Sequence, residues 1–298
     1  MGSIDTGTNT NTNTSPDNRF TSRTPESALI SAQKHLQDHG WAVIPDVLSP
    51  EENSLVLSHL WEAAEKFRKQ GDDTFMPTLD PNASNIRVFY LMALDKIFRD
   101  LIQHPVAVKM VEKVLGENWL ISNFTANIAR PGSKSMALHS DQSLVMPEPW
   151  MSTWALNVIW CLDDVYLENG ATLFIPGSDK WTTRDDIPKN ARSLLRPFEA
   201  KAGSIVLMNG RVWHTSGSNV TKDKDRALLF GYYTVPFLRQ QVNWTAKMPE
   251  EVKKELSQEL TEKLGMQVHA NMAQVSLLKY LDEVFPPEEE KAGEKLSY

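Results

Sequence analysis

The sequence predicts a mixed α/β protein with a mainly β core, a β-sandwich or jelly-roll barrel with helices packed outside it. Three observations carry that expectation. Apolar residues up to about Leu115 recur at helical spacing, whereas from Trp119 onward the spacing shortens to alternation. The strand-like runs that follow are short and separated by Gly, Pro, Asn and Asp clusters, the signature of sandwiches and barrels. With 298 residues, 41% of them hydrophobic, the chain can bury one large core, and all-β barrels of this size commonly form one domain.

Taken in order, residues 1–24 carry T-N-T-N-T-N-T-S-P and almost nothing apolar. Such a segment cannot bury enough surface to offset its ordering entropy, so a disordered tail is expected. A single domain is expected over 25–298: helices over about 28–115, a barrel over about 119–244, and C-terminal helices over about 249–285. Ala28, Leu29, Ala32 and Leu36 share a helical face that Gly40 ends, and Trp41–Ile44 reads as a short strand. Ser49 caps a helix running to about Lys69, with proline and two acids in its first turn. Pro77 and Pro81 break Gly71–Asn85 into a loop, and helical patterns cover about Phe89–Asp100 and Pro105–Leu115. Strands are expected at Leu120–Ala129, Ser152–Leu162, Ala171–Ile175, Gly203–Met208 and Ala227–Val235. Two helices, about Pro249–Leu264 and Ala270–Phe285, close the chain. No internal repeat is present.

Composition excludes several classes of function. A net charge of −7 without a basic block gives no electrostatic support for binding nucleic acid or anionic membranes. No apolar run approaches the roughly 18 residues of a membrane span, and no apolar segment of a signal peptide opens the chain. M-G-S-I-D-T fits the N-myristoylation pattern, but we read it as a chance match ahead of a polar tail. The single cysteine, Cys161, rules out an internal disulfide framework and fits a reducing compartment, so a cytoplasmic protein is expected.

The stretch that points to chemistry is M-A-L-H-S-D-Q. His139 and Asp141 are two residues apart, so on extended backbone their side chains leave the same face and can converge on a divalent metal. The alternative is a turn pair bonded to the backbone. Of the seven histidines, only His139 and His214 lie on or beside expected barrel strands, which makes His214 the best third ligand. Two histidines and one carboxylate on one face of a metal leave three positions open, the arrangement of non-haem Fe(II) oxygenases.

These flanks carry a family resemblance. H-S-D-Q, then E-N-G-A-T-L-F-I-P-G-S-D-K-W, then the distal histidine and D-R-A-L-L-F-G-Y-Y-T-V-P-F-L-R, resemble the phytanoyl-CoA dioxygenase-like family. The similarity extends upstream through D-H-G-W-A-V-I-P-D-V-L-S-P-E-E, covers about Ala32 to Trp244, and is greatest to the fungal branch that tailors natural products. The resemblance implies a double-stranded β-helix fold, Fe(II), 2-oxoglutarate and O2. It makes His139, Asp141 and His214 the iron ligands and Arg226 the anchor of the distal carboxylate of 2-oxoglutarate. A guanidinium fork matches a carboxylate and stays charged when buried, although a solvated arginine after K-D-K-D is the alternative. Thr172 matches a threonine that helps hold the cosubstrate, or is an ordinary β-branched strand residue. Where the family often has glutamine three residues before the first histidine, this chain has Met136, whose thioether donates no hydrogen bond. Asn127 on the preceding strand is a candidate to supply the missing polar contact.

The implied reaction is oxidation of an unactivated C–H bond by hydroxylation, desaturation, rearrangement or endoperoxidation. Its substrate would be a small hydrophobic molecule such as a terpenoid, meroterpenoid or indole alkaloid. Asp141 occupies the place a halogenase leaves for chloride, so halogenation is not expected. The rivals are an acyl-CoA hydroxylase of the same family, a non-catalytic cupin-like metal-binding protein, and a zinc hydrolase; neither of the last two accounts for Arg226. Trp150, Trp154, Trp160 and Trp213 are candidates to line the substrate cavity, with one or two expected there, and one of Tyr232 and Tyr233 should point inward. The Gly71–Asn85 loop and the C-terminal helices are candidate lids, and those helices could pack a homodimer.

Overall fold

The computed structural model describes residues 18–267. Its centre is a six-stranded antiparallel sheet built from β1 (Trp41–Ile44), β2 (Asn85–Val88), β3 (Leu120–Ala129), β4 (Ala155–Cys161), β7 (Ile205–Asn209) and β9 (Arg226–Thr234), in the order β1-β7-β4-β9-β3-β2. A smaller antiparallel sheet orders β6 (Arg196–Pro197), β5 (Leu173–Phe174) and β8 (His214–Thr215). Helices α1 (Glu26–His39), α2 (Pro50–Lys69), α3 (Leu91–Leu94), α4 (Lys96–Ile102) and α5 (Pro105–Leu115) precede β3, and α6 (Trp244–Lys247), α7 (Glu250–Lys253) and α8 (Gln258–Lys263) follow β9. No helix among the described residues is long and apolar enough to cross a membrane.

The two-residue period sorts the large sheet into two faces. Leu156, Val158 and Trp160 of β4, with Ala227, Leu229 and Tyr233 of β9, join the core shared with the helices. Their neighbours Ile159, Cys161 and Leu228 turn the other way and pack with Phe174 of the small sheet and with Phe198, just past β6. The same parity puts Asn157 and Tyr232 on that inner side, where β4 and β9 place them directly opposite each other.

Several boundaries depart from the sequence reading. Ordered structure starts before Pro25: Phe20 is 1% exposed, and the Asn18 amide donates to Asp100 O at 3.1 Å and Gln103 O at 3.2 Å. Burying that one phenylalanine stabilises by about 2 kcal/mol, which the polar run before it could not supply. The remainder of the expected tail, with the M-G-S-I-D-T pattern, and the Ala270–Phe285 helix lie outside the described residues. The expected Phe89–Asp100 helix is two helices, because Asp95 adopts extended φ/ψ and its carboxylate caps the Ile97 N–H at 2.9 Å. Tyr90 before it has φ 58°, which a continuous helix forbids. The expected Pro249–Leu264 helix likewise breaks where Ser257 caps the Leu260 N–H. Ser49 caps α2 as expected, in a reciprocal box with Glu52.

Candidate active site

His139, Asp141 and His214 come together at one end of a cavity of about 490 Å³. Backbone pairing does this: His139 and His214 form an antiparallel bridge, each N–H donating to the other's carbonyl at 2.9 and 2.7 Å. Asp141 follows across extended Ser140 and opens a single 3-10 turn, Asp141–Leu144. One ligating atom from each of the three lies within 4.8 Å of the others, with His139 Nε2 3.9 Å from Asp141 Oδ1.

Hydrogen bonds fix which atoms are available. His139 Nδ1 lies 2.9 Å from Ala137 O and His214 Nδ1 3.0 Å from Val212 O. A carbonyl can only accept, so both Nδ1 atoms carry the proton and both Nε2 lone pairs are free. Asn157 Nδ2 donates to Asp141 Oδ2 at 2.7 Å, which turns the other carboxylate oxygen toward the two imidazoles. Burial pushes His214 down to about 4, with Asp141 opposing and His139 reinforcing the shift, so its ring is neutral at pH 7. Two imidazole nitrogens and a carboxylate oxygen, oriented in this way, suit a divalent first-row metal with open positions.

Arg226 stands at the start of β9 and lines the same cavity, 1% exposed. Its Nε donates to Gly170 O at 3.1 Å, and Nη1 to the carbonyl and the Oδ1 of Asn127 at 3.3 and 3.2 Å. Nη2 has no partner among the described residues, and burial lowers the guanidinium to about 10, still charged at neutral pH. No carboxylate forms an ion pair with it there. Thr172, 5% exposed, lines the cavity too, and its hydroxyl has no protein partner among the described residues. Asn127 lines the wall with its amide turned to Arg226 and, at 3.4 Å, to Asn85. Beside Met136 stands Arg87, whose Nη2 lies 4.0 Å from the sulfur.

Two expectations need correction. None of the four candidate tryptophans lines the cavity. Trp160 is on the helix-facing side of β4 beside His104, while Trp150 and Trp213 form a separate cluster that Trp154 packs against. Phe89, Phe230 and Tyr232 supply the aromatic lining instead. Among the described residues, helices α6–α8 contribute nothing to the lining, whereas the Gly71–Asn85 loop contributes Thr78 and Leu79. That loop is fastened by Asp80, 2% exposed, which accepts from Arg87 Nε at 2.6 Å and Nη2 at 2.8 Å. Sequence reasoning passed over Arg87 and Asn157. The signal for Asn157 was present, a lone amide inside the apolar run A-L-N-V-I-W-C.

Known proteins resemble this chain over most of its length. Residues 36–227 match the model of the phytanoyl-CoA dioxygenase (PhyH) family. The chain is 54% identical over 257 residues to dioxygenase af480 of Aspergillus fumigatus, covering 86% of this chain and 83% of that one. It is 24% identical to the multifunctional dioxygenase ausE of Emericella nidulans, over 71% of this chain and 74% of that one. Among solved structures, the non-haem alpha-ketoglutarate-dependent carbocyclase SnoK from nogalamycin biosynthesis superposes with a TM-score of 0.61 at 19% identity, over 79% of this chain and 94% of that one. HygX from Streptomyces hygroscopicus, solved with nickel and 2-oxoglutarate bound, gives 0.57 at 18% identity, over 70% and 88%.

Proposed function

The chain belongs to the phytanoyl-CoA dioxygenase family, and from that premise we propose that it is an Fe(II)- and 2-oxoglutarate-dependent dioxygenase oxidising an unactivated C–H bond of a hydrophobic polycyclic natural product. The observation that carries the reading is Arg226: a charged, 1% exposed guanidinium, without a carboxylate partner among the described residues, in the cavity that holds His139, Asp141 and His214. A buried cation costs several kcal/mol unless an anion meets it. A dicarboxylate cosubstrate is such an anion; a non-catalytic metal barrel or a zinc hydrolase has no use for the clamp.

In this reading the two Nε2 atoms and Asp141 Oδ1 hold the metal, and Asn157 and the two backbone carbonyls keep them aimed. Arg226 takes the distal carboxylate of 2-oxoglutarate, Asn127 orients the guanidinium, and the Thr172 hydroxyl offers a further hydrogen bond. Iron bound there with 2-oxoglutarate and O2 supplies an oxidant able to take a hydrogen atom from an unreactive C–H bond. The protein's part is to position that bond and exclude water, for which Leu79, Phe89 and Phe230 provide an apolar wall. Arg87 and Arg226 are the only cations lining the described cavity, and Arg87 is held by Asp80, which disfavours an acyl-CoA with its phosphates. We read the two sheets as the halves of a double-stranded β-helix. The free, buried Cys161 suits a cytoplasmic enzyme.

The test is an anaerobic visible-absorption titration with Fe(II) and 2-oxoglutarate. Wild type should develop a weak charge-transfer band, and Arg226→Ala should need more than about tenfold more 2-oxoglutarate, since a charge-assisted hydrogen bond contributes ~1.5–3 kcal/mol. Bound metal without any band would overturn the proposal.

A further inference from the structure

The inner face of β9 presents a second polar group that the cosubstrate does not need. Tyr232 lies six residues beyond Arg226, about 20 Å along the strand at roughly 3.3 Å per residue. It faces the metal end of the cavity, opposite Asn157, the residue that holds Asp141. The side chain is 7% exposed, yet its hydroxyl makes no hydrogen bond with any described residue. Nor is the hydroxyl among the side-chain atoms sealed from solvent, so it opens onto the cavity. Its neighbour Tyr233 shows the usual fate of a buried phenol, donating to Ile102 O at 2.6 Å. Burial, with Asp141 adding to it, holds the Tyr232 phenol above its ordinary range, so it is a hydrogen-bond donor and not a phenolate. The wall around it is also polar: Thr125 lines the cavity beside it on β3, and Asn123, paired with Tyr232, donates to Gln241 Oε1 at 3.0 Å at the rim. The middle of the same wall is aromatic, with Phe230 and Phe89.

A phenol hydroxyl that opens onto the cavity is met by water when the cavity is empty, and a ligand that displaces that water without replacing its hydrogen bond loses affinity. Resting on the oxygenase reading above, we propose that Tyr232 donates a hydrogen bond to an oxygen substituent of the substrate, a hydroxyl or carbonyl close to the carbon that is oxidised. The substrate is then an oxygenated polycyclic skeleton, not a bare hydrocarbon. The reaction that supplies it belongs to a class that leaves oxygen on the skeleton: an earlier oxygenation, or a cyclisation that ends in capture of water. The protein acts second on carbon already prepared, and Tyr232 selects for that preparation.

The test uses matched probes on the protein loaded anaerobically with Fe(II) and 2-oxoglutarate. Bornane, cedrane and androstane skeletons, each as hydrocarbon, alcohol and ketone, are titrated while the charge-transfer band is followed for a shift and probe binding is measured by equilibrium dialysis. In at least one skeleton the oxygenated members should bind about tenfold or more tighter than the hydrocarbon, the discrimination expected of a site built around a hydrogen bond. In Tyr232→Phe, which removes only a hydroxyl with no partner among the described residues, that advantage should fall below about threefold while the band itself forms unchanged. Equal binding of hydrocarbon and oxygenated members, an advantage that survives in Tyr232→Phe, or no binding by any oxygenated member overturns the assignment. Absence of the band in wild type would instead overturn the iron and 2-oxoglutarate reading, so the two failures are distinct.

Discussion

Replacing Asn157 by leucine tests whether the site is oriented from behind. Its amide donates to Asp141 Oδ2 at 2.7 Å from a strand position that is 6% exposed. Leucine keeps the volume and the apolar character of the strand but removes the donor. A hydrogen bond to a charged group is worth ~1.5–3 kcal/mol, and each ~1.4 kcal/mol is tenfold in affinity. The metal should therefore bind about 10- to 100-fold more weakly, the range usual for such supporting residues. The assay is an anaerobic Fe(II) titration at saturating 2-oxoglutarate, read by the visible band. The thermal midpoint of the metal-free variant is recorded beside it to show that the fold is intact. A change in Fe(II) affinity of less than threefold in a folded variant would refute the argument that Asn157 aims Asp141.

Two further outcomes follow from buried groups elsewhere. His104 is completely buried, its Nδ1 accepts from Val106 N–H at 3.2 Å, and desolvation pushes it down to about 4. Its folded value lies below its unfolded one, so the unfolded chain binds the proton first: stability is full above pH ~6.5 and declines by about 3 kcal/mol as pH falls to about 4. His104→Asn retains an acceptor for the helix cap without titrating, and should flatten the slope of chemical-denaturation stability across that window; an unchanged slope would discount the residue. Gly40 ends α1 at φ 81°, with the Asp179 carboxylate only 2.6 Å from where a Cβ would stand. Gly40→Ala should lower stability by about 1–2 kcal/mol from the left-handed conformation alone, with more from the clash, read as a lower denaturant midpoint.

Much of the site was legible in the chain because its signals are local. A period of two after Trp119 announces strands, and two candidate ligands two residues apart on extended backbone share a face. Arg226 could be read as an inward strand start because the apolar run A-L-L-F-G follows it. The helix breaks at Asp95 and Ser257 were harder, since a capping side chain competes with propensity only when the turn before it adopts extended φ/ψ.

Alternation says that neighbours on a strand face opposite ways; it does not say which way the cavity lies. That choice belongs to the packing of the helices on one face of the large sheet, and it sent Trp160 and Tyr233 to the core and Asn157 and Tyr232 to the site. The same is true of Arg87 and Asp80, whose pairing needs a loop to fold back on β2, and of Phe20, whose ring packs beside His104. Local pattern was enough to single out His139, Asp141, His214 and Arg226 and the kind of core. What surrounds those residues came from packing, because contacts between distant segments are set by which faces can be buried together.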